Sequence, residues 1–481
     1  MPRVAIIGAG FGGIAAAVTL AKAGLTNFVV FERSGGPGGV WWDNRYPGAQ
    51  VDTPSHMYSF SFKRYAWSHS HAYQPELQRY MAETIEERGL AAHFQYNSEV
   101  GTIRWDDARA VYDVEVNDEI REFDFVISAV GMLNVPRHPQ WPGLEEFSGL
   151  VMHTAEWDPD VDLTGKRIAV VGTGSTAAQL VPSIAGKAGR LYVFQREPGW
   201  INPKPVRTYT EEERSVMTSP MRYRIQRLKG YFDAAGTRAG GNIHIEGSRS
   251  NLAAMEACRA FIRRELGERP ELVDLVTPTY GYFGKRPIKD SNFYAALLRD
   301  NVELVPRAVE KVTSAGLVDD AGNEFPVDII VTATGFQVSE YLPRLTVFGR
   351  GGAEIHKDVW KGEPAAYLGA TVPGFPNFFM IYGPNTNSPV TLFFLEAQAR
   401  FALRSIRWVG RRGARSIEVR RSAFERFDSW VQDKMRGSVW ATANNYFRTG
   451  SGRVITQWPN NPTWYWLLAK TTPELSSRVR F

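Results

Sequence analysis

Short runs of unbroken apolar residues alternate with glycine-rich turns and helical periodicity along this chain, the pattern of buried parallel strands joined by crossover helices. The first run, Val4 to Ile7, leads into Gly8-Ala9-Gly10-Phe11-Gly12-Gly13, after which Ile14 to Ala23 reads as helix. A second strand, Phe28 to Phe31, ends at Glu32. The same order returns later: Arg167 to Val171 as strand, Gly172-Thr173-Gly174-Ser175-Thr176-Ala177 as turn, a helix through Ile184, then Leu191 to Phe194 as strand. Two further segments, Asp124–Gly131 and Asp328–Gly335, are both apolar strands that end in Ala-x-Gly. They bracket the second glycine turn, as expected where the chain passes from one nucleotide domain to another and back. From Val206 to Thr277, charged and apolar residues fall at helical spacing with few turn signals.

With 481 residues the chain is too long for one compact core. The expected fold is α/β, with two Rossmann-like dinucleotide-binding domains, the second nested in the first. Residues 1–140 form the first part of one domain, 141–335 the nested domain with a helical insertion at about 206–277, and 336–481 the second part with a C-terminal segment. The pocket should lie between the two domains.

Each glycine turn has a physical job. In G-x-G-x-x-G the first Gly allows the tight turn, the second lets a pyrophosphate approach the backbone, and the third lets helix and strand pack closely. Gly8, Gly10 and Gly13 fill those places in the first copy. Glu32 follows Gly8 by 24 residues, and Arg196 follows Gly172 by the same 24. A carboxylate there accepts hydrogen bonds from a free ribose diol, whereas a guanidinium pairs with a 2′-phosphate. The first site therefore suits FAD and the second NADPH rather than NADH. Glu197, next to Arg196, is a competing partner for that cation.

Composition narrows the field. Apolar and charged residues stand near the usual globular shares, and the net charge of +5 is a small excess spread along the chain. The densest basic stretch, Arg411, Arg412, Arg415, Arg420 and Arg421, is broken by apolar residues and Glu418, and reads as a solvated helix-and-strand edge rather than a nucleic-acid interface. Cys258 is the single cysteine, which excludes a disulfide framework, a thiolate zinc cluster and a dithiol redox pair. The apolar N-terminus superficially has the look of a signal peptide, but Gly8, Gly10, Gly12 and Gly13 would break its helix. No apolar stretch is long enough to span a bilayer. The expectation is a cytoplasmic protein with neither membrane nor nucleic-acid partner, no metal, and an oligomeric state the sequence leaves open.

Two longer motifs add chemistry. Phe147, Gly149, His153, Trp157 and Asp158 fill F-x-G-x-x-x-H-x-x-x-W-[PD], and Gly38, Gly39, Trp41, Tyr46, Pro47, Gly48 and Asp52 fill [AG]-G-x-W-x-x-x-x-[FY]-P-[GM]-x-x-x-D. On these, and on Lys285-Arg286-Pro287, Ala333-Thr334-Gly335-Phe336 and Tyr382-Gly383-Pro384-Asn385, the chain resembles the type I Baeyer-Villiger monooxygenases, within the class B flavoprotein monooxygenases. The resemblance implies FAD and NADPH as cofactors, O2 and a ketone as substrates, and an ester or lactone as product, by way of a flavin C4a-peroxide. It places the active-site arginine at Arg286 and the carboxylate that orients it at Asp52. An anion in a dry pocket requires a fixed cation, and a preorganised guanidinium supplies one without solvent reorganisation. Lys285 is placed with Arg196 at the 2′-phosphate, and Tyr446 at the nicotinamide ribose. The cofactor-binding set on this reading is Gly8, Gly10, Phe11, Gly13, Glu32, Arg33, Gly39, Val40, Trp41, Asp52, Tyr58, Val100, Gly172, Thr173, Gly174, Ser175, Thr176, Gln179, Arg196, Lys285 and Tyr446. The segment from Phe147 to Asp158 is implied to be an interdomain linker that matters for activity, with no bond-making role for His153.

The chain departs from the family at Glu197, where relatives commonly carry Thr, and at Asn445-Tyr446-Phe447, where many carry Ser-Trp-Tyr. Two other functions stay open on the residues. One is N- or S-oxygenation, as in the flavin-containing monooxygenases, against which Trp157-Asp158 and Arg286 speak. The other is a non-oxygenating flavin redox sensor. The C-terminal aromatics Trp440, Tyr446, Phe447, Trp458, Trp464, Tyr465 and Trp466 are candidates for pocket lining or for core packing.

Overall fold

The structure is a computed structural model that describes residues 1–239, 242–471 and 473–481. Two five-stranded parallel sheets dominate it. The first has the order Phe378–Met380, Phe125–Ser128, Val4–Ile7, Phe28–Phe31, Phe94–Gln95, so its strands come from both ends of the chain. The second runs Val302–Val305, Arg190–Phe194, Arg167–Val171, Ile329–Thr332, Leu150–His153, all from the middle of the chain. Every residue of Val4–Ile7, Phe125–Ser128 and Ile329–Thr332 is buried, as strands covered on both faces must be.

The internal echo is a structural repeat at the level of single bonds. Arg3 N donates to Asp124 Oδ2 at 2.7 Å, and Arg167 N donates to Asp328 Oδ2 at 2.8 Å. Ala129 N donates to Ile7 O at 2.8 Å, and Ala333 N to Val171 O at 2.9 Å. Gly8 and Gly172 sit at φ +101° and +121°, where a Cβ would lie 2.8 Å from Ala129 O and 2.6 Å from Ala333 O respectively. A side chain is excluded at both on backbone and packing grounds. Each unit also carries an antiparallel meander just before its Ala-x-Gly strand, Val100–Asp106 to Glu119–Phe123 in one and Val309–Thr313 to Glu324–Pro326 in the other. Those meanders left no periodic mark that the sequence reading used.

The first crossover helix is Phe11–Lys22, starting three residues earlier than expected because the glycine turn itself enters the helix. The second is Ser175–Ile184. The insertion is helical: Glu211–Met217, Pro220–Ala239, Arg249–Leu266 and Pro270–Val276, with residues 240 and 241 outside the described set. The N-terminus of Glu211–Met217 is fixed by a capping box between Thr210 and Glu213. No helix among the described residues is long and apolar enough to cross a membrane.

Candidate active site

Both glycine turns open on one cavity of about 1190 Å³ between the two sheets. Neither crossover helix has a side-chain N-cap, Gly10 and Gly174 standing there instead. The first-turn N–H groups of each helix are thus left to whatever anion the cavity holds. A Cβ at Gly174 would meet nothing within 4 Å, and one at Gly39 would meet Gly10 Cα at 2.9 Å. Two backbones so close make a floor that a pyrophosphate can approach, which fits two dinucleotides bound in one continuous space.

Of the sequence-derived site residues, Gly8, Gly10, Phe11, Glu32, Arg33, Gly39, Val40, Trp41, Asp52, Tyr58 and Val100 line this cavity from the first unit. Gly172, Thr173, Gly174, Ser175, Thr176, Gln179, Arg196, Lys285, Arg286 and Tyr446 line it from the other side. Gly13 does not. A Cβ there would stand 1.8 Å from Gly8 O, so this glycine lets the helix pack against the turn.

Glu32 accepts from Ala9 N at 2.7 Å and from Ser34 N at 2.9 Å, and is buried. Each carboxylate oxygen keeps a second lone pair for a ribose hydroxyl. Arg33 pairs with Asp43 at 3.1 Å. Trp41 Nε1 donates to Tyr58 Oη at 3.1 Å, and burial pushes the Tyr58 phenol up to about 12. In the nested unit, Glu197 pairs with Lys285 and makes no ion pair with Arg196. The acidic neighbour therefore takes up the lysine and leaves the exposed guanidinium available to the cavity.

At the meeting of the two units, Arg286 Nη2 lies 3.4 Å from Asp52 Oδ2. Arg286 keeps 46 % of its side-chain surface accessible, and it lines the cavity. Burial works against its charge, yet Asp52, Tyr446, Tyr382 and Tyr58 around it hold its pKa above the usual arginine value. It is a permanent cation. The Tyr446 phenol is raised by burial, against the pull of Arg286.

Asp52 has two further neighbours. Gln179 Nε2 lies 3.3 Å from Oδ1, and Lys204 Nζ 3.8 Å from the same oxygen. The Gln179 amide is otherwise spent on the protein: Oε1 accepts from Tyr46 Oη at 3.0 Å and Gln50 N at 3.1 Å, and Nε2 donates to Gln50 O at 3.0 Å. It ties the second crossover helix to the segment that carries Asp52. Gly48, at φ +85°, makes that approach possible, since a Cβ there would lie 2.6 Å from Gln179 O.

Sequence reading missed Lys204 and Tyr382. Lys204 stands between two prolines with nothing in its spacing to mark it, and only the fold shows its ammonium buried against Asp52. Tyr382 was noted only as part of a motif. It adopts φ +67°, donates from its hydroxyl to Asn387 Oδ1 at 2.9 Å, and lines the cavity. Of the C-terminal aromatics, Tyr446 and Phe447 line the cavity, Trp440, Trp458 and Tyr465 are core, and Trp464 is exposed.

The Phe147–Asp158 fingerprint lies outside the cavity wall. Trp157 is core, Phe147 packs beside Trp141 and Leu144, and a Cβ at Gly149 would meet Asp328 O at 2.3 Å. Asp158 closes a local turn by accepting from Asp160 N at 2.9 Å. His153 ends the edge strand of the second sheet; its Nδ1 accepts from Ala155 N at 3.1 Å, and its buried Nε2 has no hydrogen-bond partner among the described residues. These residues set how the edge of the nested unit packs.

Comparison with known proteins agrees with this geometry. Residues 5–227 match the family model described as pyridine nucleotide-disulphide oxidoreductase. A Baeyer-Villiger monooxygenase of Pseudomonas aeruginosa is 37 % identical over 467 residues, covering 95 % of this chain and 87 % of the relative. Among solved structures, a closed form of cyclohexanone monooxygenase superposes with a TM-score of 0.89 at 28 % identity, covering 100 % of this chain and 99 % of that one. A complex of OTEMO with FAD and NADP superposes with a TM-score of 0.89 at 25 % identity, covering 99 % of each chain.

Proposed function

The chain belongs to the Baeyer-Villiger monooxygenases, and from that premise we propose that Arg286 and Asp52 carry the oxygenation of a ketone in the cavity between its two nucleotide units. It is an NADPH-dependent flavoprotein monooxygenase. FAD, when bound, supplies redox chemistry toward O2 with electrons from NADPH. The chain's own residues do the rest. The FAD-binding domain comprises 1–140 and 336–481, with Gly8, Gly10 and the first turn of Phe11–Lys22 against the pyrophosphate and Glu32 on the ribose. The NADPH-binding domain comprises 141–335, with Gly172, Gly174 and the first turn of Ser175–Ile184 on the second pyrophosphate, Arg196 on the 2′-phosphate, and Lys285 beside it, shared with Glu197. Cytoplasmic placement belongs to the same proposal.

The observation that carries the reading is the Arg286–Asp52 pair at the junction of the units. Asp52 takes one guanidinium nitrogen by one oxygen, and the fork has further donors to offer toward the cavity and Tyr446. A cation so placed stabilises negative charge that develops on oxygen during attack on a carbonyl carbon. Incubation of the purified holoenzyme with NADPH, air and a panel of ketones, sulfides and amines, followed by mass spectrometry, tests it. Added oxygen on ketones as esters or lactones is the expected result; oxygen confined to sulfides and amines overturns it.

A further inference from the structure

The longest insertion helix, Pro220–Ala239, turns an apolar stripe outward. Met221, Ile225, Leu228 and Phe232 are 69, 59, 57 and 62 % exposed. At 100° per residue these four fall within an arc of about 60°. Arg224 flanks the stripe on one side, and Arg222 and Lys229 flank it on the other, all three exposed. From Pro220 to Phe232 the helix carries no acidic residue, and exposed Asp233 follows on the flank of Arg222 and Lys229.

The inner face is firmly attached, which fixes the outer one. Tyr223 Oη donates to Phe60 O at 2.8 Å and Lys63 O at 2.9 Å. Arg227 Nη1 donates to His56 O at 2.9 Å and Ser59 O at 2.8 Å. A Cβ at Gly230 would lie 2.5 Å from Met57 Sδ. The helix is therefore held by Tyr223, Arg227 and Gly230, and its apolar stripe is left exposed among the described residues. Tyr231 Oη meets Thr463 Oγ1 at 2.6 Å, and the neighbouring helix there carries Trp464 and Leu467, also exposed.

We propose that this helix docks the enzyme on an anionic lipid surface, with Met221, Ile225, Leu228 and Phe232 in the headgroup boundary and Arg222, Arg224 and Lys229 on the lipid phosphates. Apolar side chains on one face with long cations on both flanks match an interfacial helix, the cations reaching out to the headgroups while their stems lie along the apolar layer. Charge selects the occupant. Three exposed cations, Arg222, Arg224 and Lys229, against one exposed acid, Asp233, give this face a net positive charge that disfavours a second copy packed on it. Anionic headgroups supply the missing charge. This runs against the sequence expectation of no membrane partner. Nothing in it requires a bilayer-spanning helix, and it does not depend on which substrate the cavity oxidises.

The test is co-sedimentation of the holoenzyme with phosphatidylcholine vesicles, with and without about one third phosphatidylserine. Expected is at least ~10-fold more bound protein on the anionic vesicles at low salt, falling steeply toward 0.5 M salt, roughly where the Debye length shrinks to a few ångströms. Ile225→Ser with Phe232→Ser should abolish binding, and Arg224→Glu with Lys229→Glu should abolish the preference for phosphatidylserine. Both double variants should retain FAD content and NADPH oxidation. Equal binding to the two vesicle types, or salt-independent binding by the wild type, overturns the proposal without any variant. So does a wild-type dimer in light scattering that Ile225→Ser with Phe232→Ser dissociates, which assigns the face to a second copy.

Discussion

Lys204 Nζ sits 3.8 Å from Asp52 Oδ1, opposite the oxygen that meets Arg286, with only 2 % of its side chain exposed and no hydrogen bond among the described residues. Asp52 thus stands between two cations, one lining the cavity and one buried behind its wall. Burial lowers the Lys204 pKa despite the opposing pull of Asp52 and Asp290. A lysine whose folded pKa is depressed weakens the fold while it is protonated, so at neutral pH its charge costs stability. Lys204→Met should therefore leave the melting temperature unchanged or raise it. The same change frees Asp52 to close on Arg286 and should lower ester formed per NADPH consumed by about 10-fold, as a closer charged hydrogen bond draws the guanidinium from the cavity. A purely structural lysine gives the reverse pattern, a lower melting temperature with unchanged coupling.

Arg286→Ala removes the permanent cation from the cavity. Loss of one preorganised donor at a developing oxyanion typically costs about 10²–10³ in rate. The expected outcome is ester formation down by that factor, with FAD content and NADPH-driven flavin reduction within about 2-fold of wild type. Stopped-flow reduction and product analysis on the same preparation separate the two. Full ester yield from this variant removes Arg286 from the proposed role.

Because Glu197 is engaged by Lys285, Arg196 is the residue expected to distinguish NADPH from NADH. Arg196→Ala should reduce kcat/KM for NADPH by about 10–100-fold, the range of a lost charge-assisted hydrogen bond, and change kcat/KM for NADH by less than about 3-fold. Steady-state oxidation of each coenzyme checks this. An equal loss on both coenzymes overturns the 2′-phosphate assignment. Glu197→Thr, which frees Lys285, should strengthen the preference for NADPH.

The glycine turns, both crossover helices and the nesting were legible because each rests on local rules: period, turn chemistry and a fixed spacing to the residue at the ribose. The echo between Asp124–Gly131 and Asp328–Gly335 was visible as text, yet its meaning, an alanine carbonyl over a positive-φ glycine in each unit, needed the fold. Lys204 was illegible for a different reason. A lone lysine in a loop is ordinarily solvated, and only long-range packing reveals one that is not. Gln179 could be placed near the second glycine turn, but its bonds to Tyr46 and Gln50 join segments 129 or more residues apart. The outward stripe of Pro220–Ala239 lies inside a segment whose helical spacing marks an insertion and nothing more. Periodicity gives a helix an apolar face without saying which face the core takes.

Acid should expose the histidines. Burial lowers His153 to about 4, and His71 and His56 likewise to about 4, from the ordinary value of 6.5. Between about pH 6.5 and 4 the unfolded chain binds protons at these rings that the folded chain does not, so unfolding free energy must fall as pH falls through that window and level off below it on their account. Each fully expressed shift is worth on the order of 3 kcal/mol. His153 is the cleanest probe, since its ring is buried with Nδ1 accepting from Ala155 and no carboxylate hydrogen-bonded to it. His153→Asn places an amide oxygen where Nδ1 stood and cannot titrate. Urea unfolding at a series of pH values should show the variant's stability falling less steeply between pH 6.5 and 4, by up to about 1.4 kcal/mol per pH unit, the slope of one proton. Identical slopes for variant and wild type mean that His153 takes up its proton without unfolding. The ring would then be charged inside the fold, and the burial argument for its neutrality fails.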